Sequence, residues 1–391
     1  MIALEETVME LTGVPFLALV GVTTLGAFVL GAAWLPRSGR SPRGFVTRLV
    51  MQLGVSALSL LLVAVVLNNQ NGWYANWGDL IGSSSPKVQQ DQGGTSAAKA
   101  LEGKPTGPGL QAPAAASLPP LPAPGQRVQT FQFTGQHSGL SGRVVVSLPR
   151  GYQDPANAGR TYPVIEAFHG FPGSPEVWIQ GVNLVPSIDA LSAQQVMSDV
   201  IVVAPQIEFP AGTDTECVNG GTGAPQVETW LATDVPDQIA SVLRVGRDRA
   251  SWAAIGFSSG GWCAAMAVML HSDVFGVGIV LGGYTSPEFG KAYVPFPAGD
   301  AASNRYDLVA LARSAPPPVA LWLQTSKQDS LSYTGSAALL KAAHPPLSIE
   351  SRVDVNAGHR MSVWADVVPQ ALTWLGGTAP GFKAGRTASQ P

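Results

Sequence analysis

Two long uncharged runs open the chain. Val14–Leu35 holds 22 residues without a charge and Leu49–Leu67 holds 19. As helices they rise about 33 and 28 Å, against a hydrocarbon core of about 30 Å. Neither carries a polar stripe, so the pattern predicts two spanning helices rather than core helices. From about Val128 the pattern shortens. Val128–Phe133 and Arg143–Leu148 predict an antiparallel pair, and Pro163–Phe168, Val200–Pro205, Trp252–Phe257, Gly276–Leu281, Val319–Gln324 and Ile349–Val355 have the β-branched, apolar character of buried strands. Helical patterns lie between several of them. One is Val235–Val245, with Pro236 in its first turn and Thr233 or Asp234 as its cap. Strands alternating with helices predict a mostly parallel sheet covered on both faces, with a site at the carboxyl ends of its strands.

Between these regions, Ser83–Arg127 is rich in Pro, Ala, Gly, Gln and Ser, including Leu118-Pro119-Pro120-Leu121-Pro122-Ala123-Pro124. Such a stretch cannot bury enough apolar surface to fold and reads as an extended tether. The expected organisation is therefore a membrane anchor over residues 1–82, a tether over 83–127, a folded domain over 128–377 and a disordered tail over 378–391.

Charge sets the expected topology. Glu5, Glu6 and Glu10 precede the first span with no basic residue, which is unlike a cleaved signal peptide. Arg37, Arg40, Arg43 and Arg48 lie between the spans with no acid, so the connecting loop is expected in the cytoplasm and both chain ends outside. Trp73, Tyr74 and Trp77 then fall at the headgroup level or serve as ordinary loop aromatics. Charged residues make up only 13% of the chain, with 44 Gly, 32 Pro and a net charge of −3. That composition excludes a coiled coil and gives no basic face for nucleic acid. No His-Glu-x-x-His or Cys/His ligand cluster is present, and no metal or other cofactor is expected.

The candidate chemistry begins where a strand ends. Ala253–Phe257 runs into Gly256-Phe257-Ser258-Ser259-Gly260, followed by a helix over Trp262–Leu270. This strand–turn–helix setting of G-x-S-x-G holds a serine hydroxyl out on a strained turn. A serine needs a base and an orienting acid, and the order Ser, acid, His is met by Asp329, after the strand ending near Gln324, and His359, after the last strand. Asp307 and Asp354 are the alternative acids and His344 the weaker base; His137 and His271 are expected at the surface. For the oxyanion hole, one donor is the Ser259 N–H. The other comes from His169-Gly170-Phe171-Pro172-Gly173, as Phe171 or Gly170, because Pro172 has no N–H.

With His169-Gly170, the Ser258 motif, Asp329 and Gly358-His359 in this order, Val128–Gly377 resembles the esterase D family of α/β hydrolases, which is similar to the secreted mycolyltransferases of actinobacteria. The resemblance implies an α/β-hydrolase fold and a serine esterase or acyltransferase without cofactor. Phe171-Pro172 departs from the glycines common in that family's oxyanion loop. The anchor and the Pro-rich stretch lie outside the resemblance and look like a membrane-anchored actinobacterial type. Cys217 and Cys263 are the only cysteines; outside the cytoplasm they pair as a disulfide, the alternative being two buried thiols. A disulfide would draw Asp214 and Glu216 towards the pocket mouth, where two carboxylates would favour the ammonium of an aminoacyl ester; otherwise they are solvated loop acids or hydrogen-bonding loop staples. The expected function is hydrolysis of carboxylic esters of envelope lipids by an extracytoplasmic domain. Acyl transfer to an envelope sugar or lipid, or a non-catalytic binding module on the same fold, are the alternatives.

Overall fold

The computed structural model describes residues 9–34, 37, 41–83, 87–111, 126–291, 293–296 and 300–385. Glu5, Glu6, Arg40, the proline run Leu118–Pro124 and the last six residues of the expected tail lie outside them. The chain forms two compact units. One is Met1–Lys87 with Val355–Arg360, the other Val88–Asp354 with Met361–Pro391.

In the first unit, α1 (Val14–Trp34) and α2 (Pro42–Asn71) are both long and apolar enough to cross a membrane. Most of their apolar side chains are exposed, Leu25 and Leu60 among them, unlike those of a core helix. Phe16, Val20 and Val65 pack where the two helices meet. α2 outruns its uncharged stretch at both ends. Ser41 caps its start by accepting the Gly44 N–H at 3.1 Å and Pro42 follows, so Arg43 and Arg48 sit in the helix rather than in the loop. At the other end Asn68–Asn71 continue the helix until Gly72, at φ 64°, closes it in the left-handed region.

The second unit is built on a nine-stranded sheet in the order β1-β9-β8-β7-β6-β4-β5-β3-β2. β4 (Val164–Phe168), β5 (Ile201–Pro205), β6 (Trp252–Phe257), β7 (Val277–Leu281), β8 (Ala320–Ser326) and β9 (Ser348–Asp354) pair in parallel. β2 (Val128–Thr134), β3 (Ser141–Ser147) and β1 (Val88–Gly94) add antiparallel edges. β4 shows why the inner strands read as unbroken apolar runs. Val164 and Phe168 face a core shared with α5 (Ser259–Leu270), while Ile165 and Ala167 face one shared with α3 (Leu184–Ala193) and α8 (Met361–Thr378). β5 lies on one side of β4 and β6 on the other, so winding reverses at β4. Crevices at strand carboxyl ends form at such a reversal.

Three boundaries differ from expectation. The first half of the expected tether is folded: β1 pairs with β9 from Val88↔Asp354 to Gly94↔Ser348. Its side chains are nearly all exposed, so it is held by backbone hydrogen bonds and needs none of the apolar residues whose absence suggested a tether. A short helix, Ala97–Glu102, follows with Ala100 fully buried. The folded domain also continues past Gly377, where buried Phe382 accepts the Ser198 N–H at 2.9 Å. Finally, α4 (Val235–Val242) has no side-chain cap. It is entered through a π-helical turn, Trp230–Asp234, and the Asp234 carboxylate instead accepts the His137 and Ser138 N–H groups at 2.9 Å each.

Candidate active site

Ser258 joins β6 directly to α5 with φ 56° and ψ −127°, a backbone that L-residues rarely adopt. Its own N–H is fixed to Leu281 O at 2.9 Å. The flanking glycines are required by space: a Cβ on Gly256 would lie 1.8 Å from Gly260 O, and one on Gly260 would lie 2.1 Å from Phe168 O. The turn is thus pressed against the end of β4, with no room for a side chain on either side of the serine. α5 starts at Ser259 and not at Trp262, and is buried all round.

The loop after β4 reaches the same place. A Cβ on Gly170 would lie 3.2 Å from Ser258 Cβ and 2.9 Å from the Phe257 ring. Two groups that sequence reasoning left without a role fix this loop. Buried His169 donates from Nδ1 to Gly170 O at 2.9 Å, and burial lowers its pKa, keeping the ring neutral. Buried Glu208 accepts the Gly173 N–H at 3.0 Å and the Gly212 N–H at 2.7 Å, tying the loop to the one after β5. Among the described residues the N–H groups of Ser259, Gly170 and Phe171 have no hydrogen-bond partner. Phe171 itself is 38% exposed, and its bond to Pro172 is cis.

Asp329 lies three residues beyond β8, buried, with Ser332 Oγ donating to Oδ2 at 2.5 Å and the Leu331 N–H to Oδ1 at 3.1 Å. The alternative acids have other partners. Asp307 caps α6 (Leu308–Ser314), accepting the Ala310 N–H at 2.9 Å. Asp354 ends β9 and is held by Arg352 and by Gln324 Nε2, both at 2.9 Å.

Of the histidines, His344 is exposed and lies against the Arg313 and Pro345 carbonyls, each at 3.2 Å. His271 is not a solvated surface residue. It pairs at 2.7 Å with buried Glu228, which Tyr306 and Arg305 also bind, and these partners hold the Glu228 carboxyl below its usual range despite burial. His359 belongs to the first unit, in the segment Val355–Arg360 between β9 and α8, and its N–H donates to Gly72 O at 2.7 Å.

Cys217 and Cys263 are bonded, with Cα atoms 5.7 Å apart, which staples the loop after β5 to α5. The neighbouring carboxylates are hydrogen-bonded. Glu216 is buried beneath the loop, with the Tyr284 hydroxyl 2.7 and 2.8 Å from its two oxygens and its carbonyl accepting from Trp262 Nε1 at 2.8 Å. Burial, reinforced by Asp214, raises its pKa to about 8, so it is largely uncharged near neutrality. Burial also raises Asp214. Asp214 Oδ1 accepts the Glu216 N–H at 3.3 Å, so the two residues are linked within the loop. Tyr284, three residues beyond β7, was the partner that the sequence did not reveal.

Fold and site together define a carboxylic-ester hydrolase of the α/β-hydrolase type. The sequence model of the Esterase family matches residues 138–370, and the chain belongs to that family. Among solved structures it is similar to a ferulic acid esterase, 21% identical, at a TM-score of 0.54 over 64% of this chain and 97% of the other. An S-formylglutathione hydrolase from Agrobacterium tumefaciens is 14% identical, with a TM-score of 0.55 over 64% and 95% of the two chains. The fluorophosphonate-binding serine hydrolase F of Staphylococcus aureus is 15% identical, with a TM-score of 0.51 over 63% and 97%. At these identities the likeness is one of fold. No curated protein matches the sequence.

Proposed function

We propose that the protein is a membrane-anchored serine esterase in which Ser258 is the nucleophile, His359 the general base and Asp329 the acid that orients it. The observation that carries this reading is the strained Ser258 backbone at the β6–α5 turn, walled in by Gly256 and Gly260. Strain of this kind persists where the surrounding structure imposes it, and here it presents a hydroxyl. Ser258 Oγ adds to the ester carbonyl as His359 takes its proton; collapse expels the alcohol, which receives that proton. Water, deprotonated by His359, then attacks the acyl-enzyme and releases the acid. The Ser259 N–H, with that of Phe171 or Gly170, stabilises the oxyanion, supported by their lack of other partners among the described residues.

The substrate is an ester of a lipid resident in the bilayer, with the folded domain on the outer side. The Cys217–Cys263 disulfide supports the outer side, and two observations support the bilayer substrate. Both α1 and α2 are long and apolar enough to span, and His359 is hydrogen-bonded to the residue that ends α2. Incubating the purified full-length protein with a radiolabelled acyl lipid tests the reading. Label is expected as free acid, and added alcohols divert it only if acyl transfer competes. Equal turnover by Ser258→Ala would overturn the reading.

A further inference from the structure

The loop that carries the proposed base is folded into the anchor unit, where Gly358, His359 and Arg360 meet one short segment. That segment is the exit from α2. Gly72 closes the helix, and Asn68 then clamps the chain beyond it, donating from Nδ2 to Tyr74 O at 3.0 Å and accepting the Tyr74 N–H at 2.8 Å. Asn76 caps a single helical turn, Trp77–Leu80, and the Trp77 ring packs edge-on against Phe16 of α1, with centroids 5.0 Å apart. The exit is therefore a built structure and not a linker.

The base loop is fitted to it at four points. His359 donates its N–H to Gly72 O at 2.7 Å. A Cβ on Gly358 would lie 2.0 Å from Trp73 O, so the loop approaches the exit backbone more closely than any other residue would allow. Arg360 binds Asp79 through two parallel N–H···O bonds of 2.7 and 2.6 Å, and donates to Trp73 O at 2.9 Å. Its guanidinium also lies 4.8 Å from the centre of the Tyr74 ring. Asp79 is buried and accepts the Ala75 N–H as well, so the fork holds a carboxylate that is itself fixed. A bidentate pair of this kind sets orientation as well as distance.

We infer that the exit segment Gly72–Asp79 is a positioning element for the catalytic base, with Asp79 and Arg360 as its positioning residues; this rests on the assignment of His359 given above. The anchor then does more than retain the enzyme. Gly72 lies five residues past Leu67, roughly 7 Å along the helix axis, which is the depth of one headgroup layer. His359 is thereby tied to the interfacial end of the second apolar helix.

The test uses the full-length protein in one membrane mimetic and p-nitrophenyl butyrate, a soluble ester that needs no bilayer. Asp79→Asn and Arg360→Gln are expected to lower kcat at least tenfold with KM within twofold of wild type, and Asp79→Glu to recover most of the loss. A fall in melting temperature with kcat within twofold of wild type would overturn the inference, as would a change confined to KM. If Asp79→Asn does not fold, Tyr74→Leu removes only the ring beneath the guanidinium and is read the same way. His359→Ala separates the two levels of the argument. Activity retained in His359→Ala overturns the base itself, whereas activity lost there but kept in Asp79→Asn overturns only the positioning.

Discussion

Trp364 stacks on Phe257, with ring centroids 5.0 Å apart and planes 18° from parallel. One ring belongs to the helix that follows the His359 loop and the other to the residue before Ser258, so this contact fixes α8 against the end of β6. Trp364 is also what a Cβ on Gly282 would strike. Trp364→Ala is expected to cost about 3–5 kcal/mol of stability and to lower kcat, while Trp364→Phe keeps most of both. Thermal unfolding and ester turnover measured on the same preparations check this; full activity in Trp364→Ala would deny the contact its role.

Glu216 makes stability depend on pH. Its folded pKa of about 8 lies above the ordinary value of 4.5, so the folded state holds the proton more tightly. The stability it contributes is full below about pH 4.5 and is lost as pH rises through about 8. Asp214, also raised, adds to the same trend. Denaturant melts from pH 5 to 9 are expected to fall more steeply for wild type than for Glu216→Gln, by a few kcal/mol at most. Parallel curves would contradict the buried, neutral assignment.

The acid assignment can be read from three substitutions. Asp329→Asn is expected to lower kcat by at least a hundredfold, whereas Asp307→Asn weakens only the cap of α6, at about 1 kcal/mol of stability. Asp354→Asn disturbs the pairing with Arg352 and Gln324. If Asp307→Asn or Asp354→Asn costs more kcat than Asp329→Asn, the acid is misassigned.

Because β1 lies in the sheet, a cut in the Pro-rich stretch does not free the domain. Cleavage at a protease site inserted between residues 112 and 125 is expected to leave two fragments that co-purify and retain activity, held by the seven-residue β1–β9 ladder. Release of an active fragment beginning after the cut would show that β1 is dispensable.

The sequence made the inner strands, the serine turn and the two apolar helices legible, because each has a local signature: buried runs, G-x-S-x-G between strand and helix, and uncharged length. β1 left no such mark. Its Val-Gln-Gln-Asp-Gln-Gly-Gly pattern has no apolar face, and it is a strand only because β9 offers an open edge. The partners of Glu216 and His271 stayed hidden for a related reason. Their environments come from Tyr284 and Glu228, residues 68 and 43 positions away, and no local pattern encodes such partners. The union of Val355–Arg360 with the exit of α2 likewise spans most of the chain, joined by backbone carbonyls and one ion pair.

The most direct test of the central claim is covalent labelling by a fluorophosphonate, in which the Ser258 oxygen would displace fluoride from phosphorus. Peptide mass spectrometry of the labelled full-length protein is expected to find one adduct, on Ser258, with ester hydrolysis abolished in proportion. Ser258→Ala is expected to take no label and to lose activity on the order of 10⁶-fold or to the limit of the assay. An adduct on another residue, or a Ser258→Ala protein that still turns over its ester, would contradict the account.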